Sequence, residues 1–372
     1  MNKITCYSFI IIVCSFLIYD TYIVNTRLVQ MDIKLKNLIK QSLQIFTQNT
    51  GIKAVHQAKV AKSKAFFPDG LVRVNYQDNQ WEFKAIAKTR VNRATVAMEI
   101  AQLRPEKQDS ILITGYTTPP LADLMKANGL FFMDTAGNAY IDKPPLFVYI
   151  KGNKPAKKTK TTLPRRLFKP AGLKVVFALL NVPDMVSWSY RKIAATADVA
   201  LGTVDWTFRD LKEMGFLIEM GKGNRRLTKL SILMQRWIEA YPDQLRPKLI
   251  IDQFMADNFE WWKDAAIADY DACWGGEVAA ANITKQLKPA NVTIYSHKIP
   301  GKLIIAHKLR KAADGNIEIL KPFWKFAHEF TQDGFVPPLL VYADLMATGD
   351  DRNIKTAGII YDRFLTRFER QD

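Results

Sequence analysis

Two acids and a lysine stand at a spacing suited to metal-assisted hydrolysis. Asp69 follows Pro68 and opens a short apolar run, and Glu82 and Lys84 come one strand and one turn later, separated by Phe83. Residues two apart on a strand share a face, so Glu82 and Lys84 point together while Trp81, Phe83 and Ala85 point the other way. The carboxylates of Asp69 and Glu82, converging at such a hairpin, can hold a hard divalent cation such as Mg2+. Lys84 beside it can then polarise an attacking water. The same acid–x–lysine spacing also describes a plain pair on an exposed sheet face. Glu99, on the following helix, is the substitute candidate for a further acid. The histidines (His56, His297, His307, His328) are scattered, and Cys6, Cys14 and Cys273 form neither a paired framework nor a zinc cluster. No cofactor is expected, with Mg2+ required only if the hydrolytic chemistry is active.

A second constellation is cationic. Thr203, Trp206, Arg209 and Lys212 recur at helical spacing within TVDWTFRDLKEMG (Thr203 to Gly215). Val204, Phe208, Leu211 and Met214 occupy the opposite, core-facing stripe. Before this helix lie GLKVVFALL (Gly172 to Leu180), ending near Asn181 and Pro183, and YRKIAATAD (Tyr190 to Asp198), which Ser189 should cap. Val199 to Gly202 supply the turn. After it, FLIEM (Phe216 to Met220) and RRLT (Arg225 to Thr228) read as a hairpin with its tip at residues 221–224. Three helices and a hairpin in this order read as a winged helix-turn-helix, whose outer helix fits the major groove of duplex DNA. Lys222, Arg225 and Arg226 on the wing, and Lys169 before the first helix, then lie beside phosphates.

The chain that carries these groups has 372 residues, long enough for two or three domains, and a formal net charge of +17. Residues 1–30 are a hydrophobic extension. Ile4 to Tyr19 is almost wholly apolar and slightly short for a membrane span, so residues 4–24 would be an inner-membrane anchor if they are translated. Met31 opens an ordinary amphipathic helix, and a start at that point is the preferred reading, which places the protein in the cytoplasm. Residues 31–150 read as an α/β domain. Its expected elements are the Met31 helix, a hairpin of GLVRVNY and WEFKAIA, a helix over Arg93 to Leu103, a strand ILIT and a helix opened by Thr118 and Pro119. The strands LFFM and LFVYI complete it. Between the last two, DTAGN (Asp134 to Asn138) is expected to be a turn rather than a site, with Gly137 left-handed. Residues 151–168 are a basic, proline-containing linker, 169–230 the winged helix, and 231–372 a further α+β domain.

In the last segment, SILMQRWIEAY and GGEVAAANIT read as helices, and Leu249 to Phe254, VTIYS, KLIIAHKL, IEIL and Leu339 to Tyr342 as strands. A final helix is expected over Ile354 to Phe368. Asp264, Asp269 and Asp271 form an acidic patch. Glu277, Asp344, Asp350 and Arg352 could line a cleft, although the preferred reading is that they cap helices and turns, and no catalysis is assigned to this half.

Pro68-Asp69 and Glu82-Phe83-Lys84 resemble the PD-(D/E)xK nuclease signature, which implies a nuclease-like N-terminal domain, read here as a non-catalytic scaffold. A wider likeness rests on FFMDTAGNAYI, on GLKVVFALL with YRKIAATADVALGTVDWTFRDLKEMGFLIE, and on LRPKLI, WGGEVAAANIT, LLVYADLMATGDDRN and IIYDRF. Over roughly Asp69 to Leu365 the chain resembles the AbiEi-type antitoxins of bacterial type IV toxin–antitoxin systems. That resemblance implies a multidomain α+β protein that represses its own operon through the winged helix. By the same likeness, Thr203, Trp206, Arg209, Lys222, Arg225 and Arg226 match the recognition helix and wing. The implied partners are double-stranded DNA carrying an inverted repeat, a nucleotidyltransferase toxin encoded nearby and a second copy of the chain. In that family the winged helix lies near the N-terminus, whereas here it is central. The alternative is a metal-dependent nuclease targeted by the same winged helix.

Overall fold

The computed structural model describes residues 34–57, 69–103, 109–155, 166–221, 224–328, 330 and 333–369. They form a mixed α+β protein of two compact units, the first within Met1–Val91 and Leu103–Thr161, the second within Asn92–Gln102 and Thr162–Asp372. The hydrophobic run at residues 4–24 and most of the basic linker lie outside the described residues. Among the described residues, no helix is long and apolar enough to cross a membrane.

The first unit opens with helix α1 (residues 34–50), which buries Leu38, Ile39, Leu43 and Phe46 on one stripe. Strands β1 (Lys53–Gln57), β2 (Gly70–Tyr76) and β3 (Asn79–Lys88) follow. Helix α2 (Arg93–Gln102) comes next in the chain but belongs to the second unit. Then come β4 (Ser110–Thr114), α3 (Pro119–Ala127), β5 (Phe131–Asp134), β6 (Ala139–Lys143) and β7 (Leu146–Ile150). The seven strands lie in sequential order in one sheet. The β3–β4 and β4–β5 pairs are parallel, and the other pairs are antiparallel. Pro119 starts α3 at the expected place, yet Thr118 makes no side-chain cap bond. The DTAGN segment is a tight turn. Gly137 has φ +85°, and the Asp134 carboxylate accepts from the backbone N–H of Thr117, Ala136 and Asn138 and from the Asn138 amide at 2.7–2.9 Å. Burial pushes the Asp134 carboxyl up, and those hydrogen bonds oppose it.

The second unit contains α4 (Pro170–Asn181), α5 (Tyr190–Thr196), α6 (Leu201–Glu213), the hairpin β8 (Leu217–Glu219) and β9 (Arg225–Leu227), and α7 (Leu230–Gln244). It continues through β10 (Ile250–Met255), β11 (Ala272–Gly275), α8 (Gly276–Thr284), β12 (Val292–Ser296), α9 (Gly301–Ala306), β13 (Arg310–Lys311), β14 (Ile317–Leu320), α10 (Pro338–Thr348) and α11 (Asp351–Ile360). Its strands form a sheet in the order β11-β12-β14-β10-β13.

Two expected strands are helices. KLIIAHKL holds α9, because Pro300 precedes it and Lys308 ends it at φ +52°. Leu303 is fully buried while Ile305 is 80% exposed, which is a helical rather than an alternating pattern. LLVY lies in α10, which runs from Pro338 to a left-handed Gly349. Leu339 through Met346 are all buried, and such a continuous apolar run cannot be assigned to strand or helix by periodicity alone. The last helix begins at Asp351 and gives way to a π-helical turn at Tyr361–Leu365.

The trihelical segment is not a separate body. Trp237 of α7 donates its indole N–H to the Leu173 carbonyl at 2.9 Å and stacks on Phe177 and Tyr241. The stretch 321–328 crosses the same helices. Phe323, Trp324 and Phe326 pack around Phe177, and Lys325 donates from its backbone to Thr196 O at 3.0 Å and pairs with Asp198 at 2.6 Å.

Candidate nucleic-acid interface

Helix α5 begins where its sequence requires: Ser189 Oγ accepts the Lys192 N–H at 3.3 Å and satisfies one of the free donors of the first turn. The turn to α6 is tighter than its sequence suggests, since the helix starts at Leu201 rather than Thr203. Val204, Phe208 and Leu211 are buried, as is Thr207, while Met214 is half-buried. Gly215 follows at φ +72°, a conformation that favours glycine and ends the helix.

The outer face of α6 presents Thr203 and Trp206, both half-buried, and Arg209 and Lys212, both exposed. Arg209 is ion-paired with Asp205 one turn earlier, and Lys212 with Glu219 of the hairpin at 3.1 Å. The Asp205 hydrogen bond raises the Arg209 pKa above its ordinary value. With Asp205, Asp210 and Glu213 against Arg209 and Lys212, α6 carries more acid than base. Asp210 is partly spent inside the unit, accepting the Leu167 N–H at 3.1 Å. Cations flank the helix instead. Lys169 is exposed just before α4, and Arg226 is exposed on β9. Arg191 and Lys192 of α5 are also exposed, Lys192 with its ammonium 3.6 Å from the Trp188 ring centroid. Arg191 and Lys192 are additions to the residues expected from the sequence, and the Ser189 cap is the signal that puts both on a first helical turn.

Arg225 has a different setting from Arg226. Its guanidinium lies 4.9 Å from the Tyr190 ring and 4.7 Å from the Phe208 ring, and it donates to the Trp188 carbonyl at 2.6 Å. It therefore ties the hairpin to α5 and α6. Lys222 and Gly223, at the hairpin tip, lie outside the described residues.

The Asp69 and Glu82 carboxylates of the first unit do not converge. Strand register sets Glu82 opposite Arg73 and Lys84 opposite Leu71. Asp69 continues the same ladder through its N–H to Ala85 O, four positions along β3 from Glu82, or about 13 Å at the rise of a strand. Asp69 accepts the Ala87 N–H at 2.7 Å, which completes the end of the β2–β3 ladder, and Glu82 is held by Arg73 at 2.5 Å. Pro68 lies outside the described residues. Glu99 is buried on α2, in the second unit. A signature read along the chain fixes residue order but not hairpin register, and register decides which carboxylates meet. Among the described residues no group of three or more His, Cys, Asp or Glu could hold a metal ion.

In the second unit, Glu277 is buried and accepts from Ala290 N at 2.5 Å, Asn291 Nδ2 at 3.1 Å and Asn353 Nδ2 at 3.0 Å, bracing α8 to α11. Asp350 caps α11 by accepting from Arg352 N and Asn353 N, and Arg352 folds back onto it. Asp344 is buried and accepts from Tyr241 Oη, Tyr295 Oη and Arg246 Nε at 3.0, 3.0 and 3.1 Å, while Arg246 also pairs with Glu318 at 2.6 Å. Burial opposes the Arg246 charge, but Asp344 and the two tyrosines raise its pKa above the ordinary range. Burial pushes the Asp344 carboxyl up, and Arg246 with the two phenols opposes this. Glu277 and Asp344 thus brace separate elements, while Asp350 and Arg352 form a local helix cap.

No curated protein and no solved structure matches the chain. The likeness expected from Asp69 onward is found over a shorter stretch, which begins in β9 and covers less than half of the 372 residues, leaving out α4 to α6 and the first unit. Residues 226–366 match the family described as transcriptional regulator, AbiEi antitoxin, of type IV toxin–antitoxin systems.

Proposed function

We propose that the protein is a DNA-binding transcriptional repressor and the antitoxin of a type IV toxin–antitoxin system, acting in the cytoplasm on its own operon. The reading is carried by one juxtaposition. The segment similar to AbiEi regulators shares a compact unit with three helices and a hairpin whose outer helix leaves Thr203, Trp206, Arg209 and Lys212 at the surface. In this reading α4 to α6 and the β8–β9 hairpin form a winged helix-turn-helix, and α6 enters the major groove. Because α6 has no excess of cations, its part is base reading, and Arg191, Lys192, Arg226 and Lys169 supply phosphate contacts. An inverted-repeat operator would be met by two copies of the chain, and the toxin partner would be a nucleotidyltransferase encoded nearby. The first unit is assigned no catalysis.

Fluorescence anisotropy with a labelled duplex from upstream of the gene, against a scrambled duplex of equal length, tests the proposal. Specific proteins prefer their site by about 10³-fold or more at physiological salt. Equal binding to both duplexes would remove the repressor reading.

A further inference from the structure

The second unit holds a pocket of about 210 Å³ behind the hairpin. Its walls come from the end of α4 (Leu179, Leu180), the 3-10 turn Pro183–Ser187, strand β9, Leu230 of α7 and the C-terminal Arg367 and Phe368. Leu179, Leu180, Val186, Leu227, Leu230 and Phe368 are buried and give it an apolar floor. Its charged lining is Arg225, Arg226 and Arg367, with no acid among the lining residues. Arg226 and Arg367 are exposed. Arg225 holds the Trp188 carbonyl, while its Nε is buried with no hydrogen-bond partner among the described residues.

Three arginines line the pocket, Arg225 with its guanidinium turned to the Tyr190 and Phe208 rings, and none has an ion pair among the described residues; a planar carboxylate is the group that their forked donors fit best. The volume lies below the roughly 300–1,000 Å³ of sites for drug-sized ligands, so the body attached to that carboxylate is about one or two rings. We infer that this pocket is a binding site for a small organic monoanion with an apolar body, an aromatic or short branched carboxylic acid. The site stands independently of the DNA-binding reading, because it needs only the pocket and its arginines.

The test uses the full chain and four probes: benzoate and indole-3-acetate, which carry both features, benzyl alcohol, which lacks the charge, and acetate, which lacks the body. Binding is followed by calorimetry and saturation-transfer NMR. Benzoate or indole-3-acetate should bind at least tenfold more tightly than benzyl alcohol and acetate. Arg226→Gln with Arg367→Gln, both surface changes that leave the floor intact, should abolish that preference while the melting temperature is retained. No binding of the two aromatic acids at millimolar concentration, equal binding of benzyl alcohol, or a preference unchanged in the double variant would each overturn the assignment.

Discussion

Two sets of charged residues in the second unit have opposite fates. Asp344, Arg246, Glu318 and Glu277 are turned inward, and their hydrogen bonds hold α7, α8, α10, α11 and the sheet together. Arg191, Lys192, Arg209, Lys212 and Arg226 are turned outward, and the only described ion pairs among them are Arg209 with Asp205 and Lys212 with Glu219, both at the surface. Inward charges are costly to disturb because a partner is left buried and uncompensated, whereas outward pairs contribute little to stability and can exchange partners. The difference teaches that chemistry-bearing residue types in this chain stay available at the surface only where the fold has left them unspent.

The largest effect is expected in the inward set. Asp344→Ala leaves Arg246 without its main counter-charge and two tyrosine hydroxyls without their acceptor, and should cost about 3–5 kcal/mol in chemical denaturation. A loss below 1 kcal/mol would place the pair with the surface set. Acid provides the next test. Burial lowers the His328 pKa to about 4 from an ordinary 6.5. The unfolded chain therefore takes up the proton first as pH falls. Stability attached to this group is full above pH 6.5 and falls between 6.5 and 4, by up to roughly 3 kcal/mol. His328→Gln should flatten that part of a stability–pH profile, and an unchanged slope would dismiss His328 as its source.

Arg225 and Arg226 sharpen the comparison most locally, because they are adjacent and differ only in surroundings. Arg225→Ala should cost about 0.5–2 kcal/mol of stability, since the cation no longer sits against the Tyr190 and Phe208 rings, and Arg226→Ala should leave the melting temperature within about a degree. Equal destabilisation by both would erase the distinction. A smaller effect links the pocket to the repressor reading: saturating benzoate occupies Arg226 and should weaken duplex affinity about two- to threefold, roughly the worth of one surface ion pair with a phosphate. Benzoate that binds without altering duplex affinity would separate the two sites.

Much of this arrangement is legible in the sequence. The Ser189 cap, the Val204–Phe208–Leu211 stripe and Gly215 locate α5 and α6, because capping and periodicity are local properties. The β2–β3 hairpin is legible for the same reason, from alternation on both sides of a polar turn. What stays hidden depends on register and tertiary packing. The distance between Asp69 and Glu82 follows from which residues pair across β2 and β3, and the inward role of Arg225 follows from rings on two other helices. Strands β1, β6, β11 and β13 give little signal because they are short and their burial does not alternate cleanly. Buried α10 resembles a strand in sequence because every position along it faces protein.

The most direct test of the central claim is the salt dependence of duplex binding by the intact protein and by the variant with Arg209→Ala, Lys212→Ala and Arg226→Ala. Both proteins should melt alike, and the variant should bind at least tenfold more weakly, with a slope of log affinity against log salt shallower by about one for each phosphate it no longer neutralises. Identical affinity and slope in the two proteins would contradict the assignment of this face to DNA.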